Sequence, residues 1–364
     1  MCSRRINAVH EIVFEGSRPF GYFGWPTVAK LPDGTLAAAA SGFRSSHICP
    51  FGRTVLWTSA DEGRSWSGPV IVNDSPVDDR DAGLCALPDG SLLVTHFGSD
   101  TRIYYPAGAA MPDCADFRPV LDSWEDDIVS RHIGSFLRRR MPDGRFGKRI
   151  PVAASSPHGP SLLPDGSLIY IGTRFGVSKP DGTLEFKMDR FGGSGVVVLR
   201  SADDGDNWDE LAEIPNPLPG TRFCEPHALG LPDGRILCQL RLEGEEDFSV
   251  WQSESADGGR TWSPAARIAA GSPPHLLLHS SGMLVSSYGC RRDGCGQRVM
   301  LSSDGGRSWE TDYILRDDGR PRLSVHGRAV GRFFVHRLLS AAGSGGAMRV
   351  ARVALAPARN VRPA

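Results

Sequence analysis

At or beside five positions of one repeated offset stand residue types that handle protons and anions. Eight residues before Asp33, Asp89, Asp165, Asp233 and Ser281 stand Trp25, Asp81, Pro157, Glu225 and Pro273, with Arg80, His158, His227 and His275 beside them. Two carboxylates can act as acid and base, imidazoles can transfer protons near neutral pH, and a planar guanidinium can hold a carboxylate in a bidentate grip. Plain strand packing calls for apolar residues at such a recurring place, so a convergence of titratable groups marks a candidate site, although ion pairs can imitate one. Single histidines in strands are commonly hydrogen-bonded structural residues. His227 and His275, at matching offsets, form the better pair. Three histidines with Asp81 or Glu225 would be adequate zinc ligands, but their separation in sequence gives no ligand spacing, and neither metal nor cofactor is expected.

The offset is measured from a repeated turn. Leu31-Pro32-Asp33-Gly34, Leu87-Pro88-Asp89-Gly90, Leu163-Pro164-Asp165-Gly166 and Leu231-Pro232-Asp233-Gly234 each join two apolar runs, with Ser280-Ser281-Gly282 a weaker fifth. These predict hairpins. Interleaved with them is S-x-D-x-G-x-x-W, at Ser59/Asp61/Gly63/Trp66, Ser201/Asp203/Gly205/Trp208, Ser255/Asp257/Gly259/Trp262 and Ser302/Asp304/Gly306/Trp309. Each copy follows a strand-forming run and predicts the next turn: Asp accepts backbone N–H groups, Gly takes a positive φ and Trp packs back under the strands. Met141-Pro142-Asp143-Gly144-Arg145-Phe146 reads as a decayed copy with Phe in place of Trp. Asp122-Ser123 ahead of Trp124-Glu125-Asp126-Asp127, with Arg138-Arg139-Arg140 at the far end, has the cap and charge order of a short helix.

The second repeat resembles the Asp box of the sialidase superfamily. That resemblance implies an all-β, six-bladed β-propeller of sialidase type, with the boxes on the face away from the active site and the inner strands lining the central axis. The propeller is expected over residues 1–319, with an insertion at about 104–150 in the second blade, and 320–364 as an atypical tail. That tail lacks an L-P-D-G hairpin and a Trp, so the sixth blade is expected to be incomplete or disrupted. Back-translated and read one base later, Arg320 to Arg332 can give Gly-Leu-Gly-Tyr-Pro-Cys-Thr-Val-Glu-Leu-Ser-Asp-Gly, which points to a shifted reading frame.

Carried over residue by residue, the resemblance implies Glu225 as partner of a nucleophilic Tyr, and Arg241 with Arg291 or Arg292 as grips for a substrate carboxylate. The departures are specific. The family's F-R-I-P stands here as Phe23-Gly24-Trp25-Pro26, without its first arginine, for which Arg44 is a substitute candidate. The loop that carries the acid/base Asp reads Arg44-Ser45-Ser46-His47, and the family's Tyr has no in-frame counterpart. Asp81 or a histidine (His47, His158, His227 or His275) then becomes the candidate acid or base. The expected function is that of a glycoside hydrolase resembling an exo-α-sialidase, cleaving a terminal acidic sugar from a glycan or glycoside. Trp25, Arg80 and His158 would complete the substrate pocket. The alternatives are a uronic-acid-glycan hydrolase or lyase using His as acid/base, and a non-catalytic glycan-binding propeller or inactive truncated product.

A formal net charge of −1 gives no long-range argument for nucleic acid. The N-terminal stretch lacks the apolar run of a signal peptide, and no segment has transmembrane length. The eight scattered cysteines are expected as reduced, mostly buried thiols of a cytoplasmic protein. Oligomeric state is left open.

Overall fold

The structure, a computed structural model, describes residues 4–6, 8–17, 19–105, 117–174, 177–178, 184–185, 195–216, 218–244, 248–290, 296–317, 327–330, 333–338 and 347–353. The first strand, β1 (Ala8–Glu15), pairs with the last one in the chain. The strands that follow β1 form a β-propeller.

Blade one is β2 (Tyr22–Lys30), β3 (Leu36–Arg44), β4 (Arg53–Ser59) and β5 (Ser67–Asn73); blade two is β6 (Asp78–Ala86), β7 (Leu92–Ser99), β8 (Gly134–Arg140) and β9 (Ile150–Val152). In blade three the inner strand is split into β10 (Ala154–Ser155) and β11 (Ser161–Leu162), both paired with β12 (Leu168–Arg174). A small ribbon, β13 (Val177–Ser178) with β14 (Leu184–Glu185), precedes β15 (Val196–Ser201) and β16 (Asp209–Ile214). Blade four is β17 (Arg222–Gly230), β18 (Ile236–Glu243), β19 (Ser249–Ser255) and β20 (Ala266–Ala270); blade five is β21 (His275–Leu278), β22 (Leu284–Cys290), β23 (Gly296–Ser302) and β24 (Glu310–Asp317).

Five blades of consecutive strands are thus found, not the six expected. A different kind of sheet stands between the fifth and the first: β25 (Gly327–Val330), β26 (Phe333–Leu338) and β27 (Ala347–Val353), completed on its outside by β1. β25 lies against β21 and β22 on one side and against β2 on the other. The stretch Arg320–Arg332, on which the shifted-frame expectation rests, lies outside the described residues apart from the backbone of β25.

Burial explains the layering. β3, with its run Ala37 to Ala40, is buried on both faces, and small side chains let neighbouring blades approach. Between blades one and two, Ala29, Ala39, Leu56 and Val72 meet Ala82, Leu84 and Val94; between two and three, Leu93 and Leu137 meet Leu168, Tyr170 and Val197. The outermost strand β5 turns most of its residues to solvent.

The hairpins stand where the turns predicted them. In the first, Leu31 N–H donates to Thr35 O at 2.8 Å, Thr35 N–H to Asp33 at 2.9 Å, and Gly34 takes φ 92°. The S-x-D-x-G-x-x-W turns join β4 to β5, β15 to β16, β19 to β20 and β23 to β24. In the third, Ser255 Oγ accepts Gly259 N–H at 2.9 Å and donates to Asp257 at 2.8 Å, while Asp257 accepts Thr261 N–H at 2.9 Å. Trp262 Nε1 donates to Gly259 O at 3.0 Å; in the fourth copy Trp309 donates instead to Gln252 in the neighbouring blade.

Two local expectations are corrected. The segment from Met141 to Phe146 does join the third and fourth strands of its blade, but Met141 N–H bonds Arg145 O at 2.8 Å and Gly144 N–H bonds Met141 O at 2.9 Å, the pattern of the L-P-D-G hairpins. The residues 121–140 form no single helix. Two one-turn helices, α1 (Arg118–Asp122) and α2 (Asp126–Ser130), are followed by β8, which takes Arg138 to Arg140 into the sheet because cross-strand pairing with Leu92 to Val94 outweighs helical charge order. Cys49, Cys85, Cys224 and Cys238 are buried free thiols. Among the described residues no helix is long and apolar enough to cross a membrane.

Candidate functional site

Three inner strands carry the same defect at the end away from their hairpins. The register of β2 passes from Gly24↔Ser41 to Thr27↔Ala39, that of β6 from Arg80↔Phe97 to Gly83↔Thr95, and that of β17 from Cys224↔Arg241 to His227↔Gln239. Each strand therefore holds one residue more than its partner. Trp25, Asp81 and Glu225 begin these bulges, with φ of 52°, 53° and 46°. Bulges re-aim side chains, and a left-handed non-glycine residue costs on the order of 1–3 kcal/mol. In blade three the place is taken by the break between β10 and β11, which contains Pro157, His158 and Gly159 (φ 74°); in blade five His275 opens β21 just after Pro273.

Around Trp25 the ring is a prop. It is 4% exposed, with the Arg80 guanidinium 4.5 Å from its centroid, that of Arg44 at 5.2 Å and the His47 ring at 4.9 Å. Trp25 was expected to contact substrate; in the structure its indole packs against Arg80, Arg44 and His47. Arg44, the substitute for the missing first arginine, is wholly buried and ion-paired with Asp78. It also donates to Ser41 Oγ at 2.9 Å, His47 O at 2.9 Å and Ser46 O at 3.3 Å, so its donors are already engaged by the protein. Arg80 differs. Its Nη1 is 3.8 Å from Asp78, and Nε and Nη1 are buried without a hydrogen-bond acceptor.

Asp81 and Glu225 sense one another's charge yet lie in opposite settings. Burial pushes the Asp81 carboxyl up to about 7; Arg80 and Arg44 pull it down, while Glu225 and Asp78 add to the rise. Asp81 Oδ1 is buried with no donor. Glu225 accepts from Arg241 Nη1 at 2.6 Å, and Arg241 also pairs with Glu243 and lies 4.4 Å from the Phe248 ring. Burial works against the Arg241 charge, but the Glu225 and Glu243 carboxylates outweigh it and hold the group firmly protonated. Arg241 Nε is left buried without an acceptor.

His158, His227 and His275 pack ring against ring, His227 on His275 at 4.0 Å and His158 at 5.4 Å and 5.3 Å from the two. His227 Nδ1 accepts Leu276 N–H at 3.0 Å, so the neutral ring carries its proton on Nε2. Nε2 is 3.3 Å from Ser161 Oγ, which gives its own proton to Ala228 O at 2.7 Å. His227 was expected as a catalytic histidine; with both nitrogens held by three blades it is a tie. Among the described residues no group of His, Cys, Asp or Glu is arranged to hold a metal ion.

Arg291 and Arg292 lie outside the described residues. Trp25, Arg80, Asp81, Glu225, Arg241 and His47 are linked in one cluster, with the three stacked histidines beside it on blades three to five. Tyr22, which the sequence did not single out, bonds His47 Nδ1 through its hydroxyl at 2.9 Å. The signal was its place three residues before Trp25 on the same inner strand. A cleft of about 400 Å3 between the first two hairpins, lined by Leu31, Pro32, Asp33, Pro88, Asp89 and Pro142, lies at the opposite end of those strands.

Comparison with family models and with curated proteins finds no match. Solved structures do match. A protein of unknown function from Dyadobacter fermentans superposes with a TM-score of 0.71 at 18% identity, covering 97% of this chain and 100% of the other. The NanB sialidase of Streptococcus pneumoniae gives 0.65 at 13% identity over 94% of this chain and 70% of its own. An α-L-arabinanase of Penicillium chrysogenum, solved with arabinobiose, gives 0.60 at 16% over 95% and 98%. The chain shares the propeller fold of these glycoside hydrolases. At such identities the likeness speaks for fold alone.

Proposed function

We propose that this protein is a glycoside hydrolase that removes a terminal acidic sugar, and that the sheet of β25, β26, β27 and β1 serves as the sixth blade of its ring. One observation carries the reading. At the bulged end of the inner strands, Arg80 Nε and Nη1 and Arg241 Nε want acceptors, while a protonated Asp81 has a proton to give. Buried polar atoms without partners call for a ligand or water. A sugar bearing a carboxylate supplies acceptors for the guanidinium groups, and a glycosidic oxygen accepts from Asp81.

The roles follow from the different settings of two carboxyl groups, one buried and one ion-paired. Asp81, kept neutral to about pH 7, protonates the leaving oxygen. Glu225, ion-paired with Arg241, opposes the positive charge that develops at the anomeric carbon. Arg80, its guanidinium 4.5 Å from the Trp25 ring centroid, holds the substrate carboxylate in the place of the absent first arginine.

Turnover of 4-methylumbelliferyl α-sialoside beside the corresponding uronide separates the two acidic-sugar readings. Asp81→Asn and Glu225→Gln should each lower kcat by about 100-fold or more on the glycoside that is cleaved. Saturable binding of either sugar without turnover would replace the hydrolase by a glycan-binding module.

A further inference from the structure

We propose that Tyr22 and His47 are the proton-accepting pair of this site, with Tyr22 toward the substrate and His47 behind it. The inference rests on the hydrolase reading above. Tyr22 Oη is 2.9 Å from His47 Nδ1, the ring centroids are 6.2 Å apart and the planes are inclined at 70°. Both residues are half-buried, neither sealed in the core nor adrift on the surface. An acidic hydroxyl, a base within hydrogen-bond reach and a third group that orients the base are the parts of an activated oxygen.

The third part here is the buried guanidinium of Arg44. It donates to the backbone oxygens of Ser46 and His47, and so fixes the loop that carries the imidazole. On the other side the His47 ring rests 4.9 Å from Trp25, the indole that also faces Arg80. Tyr22 stands across from Arg44 in the β2–β3 register, and the Arg44 charge reaches both its phenol and Asp81. Tyr22, His47 and the acid Asp81 are therefore parts of one electrostatic cluster. The other buried tyrosines are occupied elsewhere: Tyr170 bonds Ser156, Tyr288 bonds Asp312 and Tyr105 packs with Cys49, Phe117 and Leu121.

A water proton passes to Tyr22 Oη as the phenol proton passes to His47 Nδ1. The water oxygen bonds to the anomeric carbon, and the glycosidic C–O bond breaks with its electron pair going to the leaving oxygen, which takes the Asp81 proton. The products are the free sugar, the alcohol, an Asp81 carboxylate and a His47 imidazolium. Solvent then takes the proton from His47 and returns one to Asp81.

Tyr22→Phe and His47→Gln, made in the full chain and checked for unchanged melting, test the pair on the fluorogenic glycoside that the wild type cleaves. Each should lower kcat by about 100-fold with KM nearly unchanged, and the double variant should be no worse than either single one. Added imidazole should restore part of the activity of His47→Ala. Both variants within about twofold of wild-type kcat, with Asp81→Asn inactive, would overturn the pair while leaving the hydrolase standing. If the wild type cleaves neither glycoside, the 15N resonances of His47 decide: an unprotonated Nδ1 whose signal moves in Tyr22→Phe keeps the pair and removes the hydrolase reading, and a signal that stays put removes the pair.

Discussion

Trp25, Asp81 and Glu225 hold left-handed backbone conformations at one height on three strands, and none is a glycine that would adopt them freely. A side chain kept at such a cost is kept for where it points. For Asp81 the cost is also electrostatic. Because its folded carboxyl stands at about 7 against an ordinary 3.8, its contribution to stability is complete below about pH 4 and is lost as pH rises through 7. Asp81→Asn should therefore melt higher than wild type at pH 8, by a few kcal/mol at most, and flatten the stability profile between those limits, while turnover is lost. Calorimetry across pH checks the first and the glycoside assay the second. Arg80→Lys keeps the charge but loses Nε and the guanidinium contact with the Trp25 ring, so KM for an acidic glycoside should rise about tenfold with kcat less affected.

The S-x-D-x-G-x-x-W turns belong to the scale of the element. The buried Ser255 hydroxyl joins Gly259 N–H to the Asp257 carboxylate. Ser255→Ala strands that N–H group and should lower stability by about 1–3 kcal/mol, read from urea unfolding, without changing KM. The turn lies at the far end of blade four from Glu225 and Arg241, so an effect on KM would show coupling along the blade. The inner strands work differently: their hairpins fix one end and their bulges aim the other, which is why counting from the hairpin Asp finds the bulged residues Trp25, Asp81 and Glu225.

At the scale of the molecule, one sheet joins the chain's beginning to its end. β1 is the outer strand on β27, and residues on either side of the join, Val13 and Met348, share a core with Phe23 and Trp57 of blade one. Removing residues 1–16 should expose the β27 edge and lower the melting temperature, with aggregation measured by light scattering. An unchanged melt would mean that the fold does not need β1. The shifted frame is a separate proposal at this scale: gene codons incompatible with the second frame over Arg320 to Arg332 would remove it.

What the sequence determined by itself is what short-range chemistry sets. Asp, Gly and Pro at fixed steps define turns through bonds spanning a few residues, so the hairpins, the repeated Trp turns and the offset that gathers Asp81, Glu225 and Arg80 were legible. The same locality explains the errors. Met141 to Phe146 has the spacing of one turn and the bonds of another, and Arg138 to Arg140 joined a strand because the sheet edge was waiting for it. Tertiary structure alone decided which groups meet across 25 residues or more: Tyr22 with His47, Arg44 with Asp78, His227 with the Leu276 amide and β1 with β27. Those pairings are set by the packing of blades round an axis, which fixes whether a guanidinium is bonded within the protein or keeps a nitrogen without an acceptor.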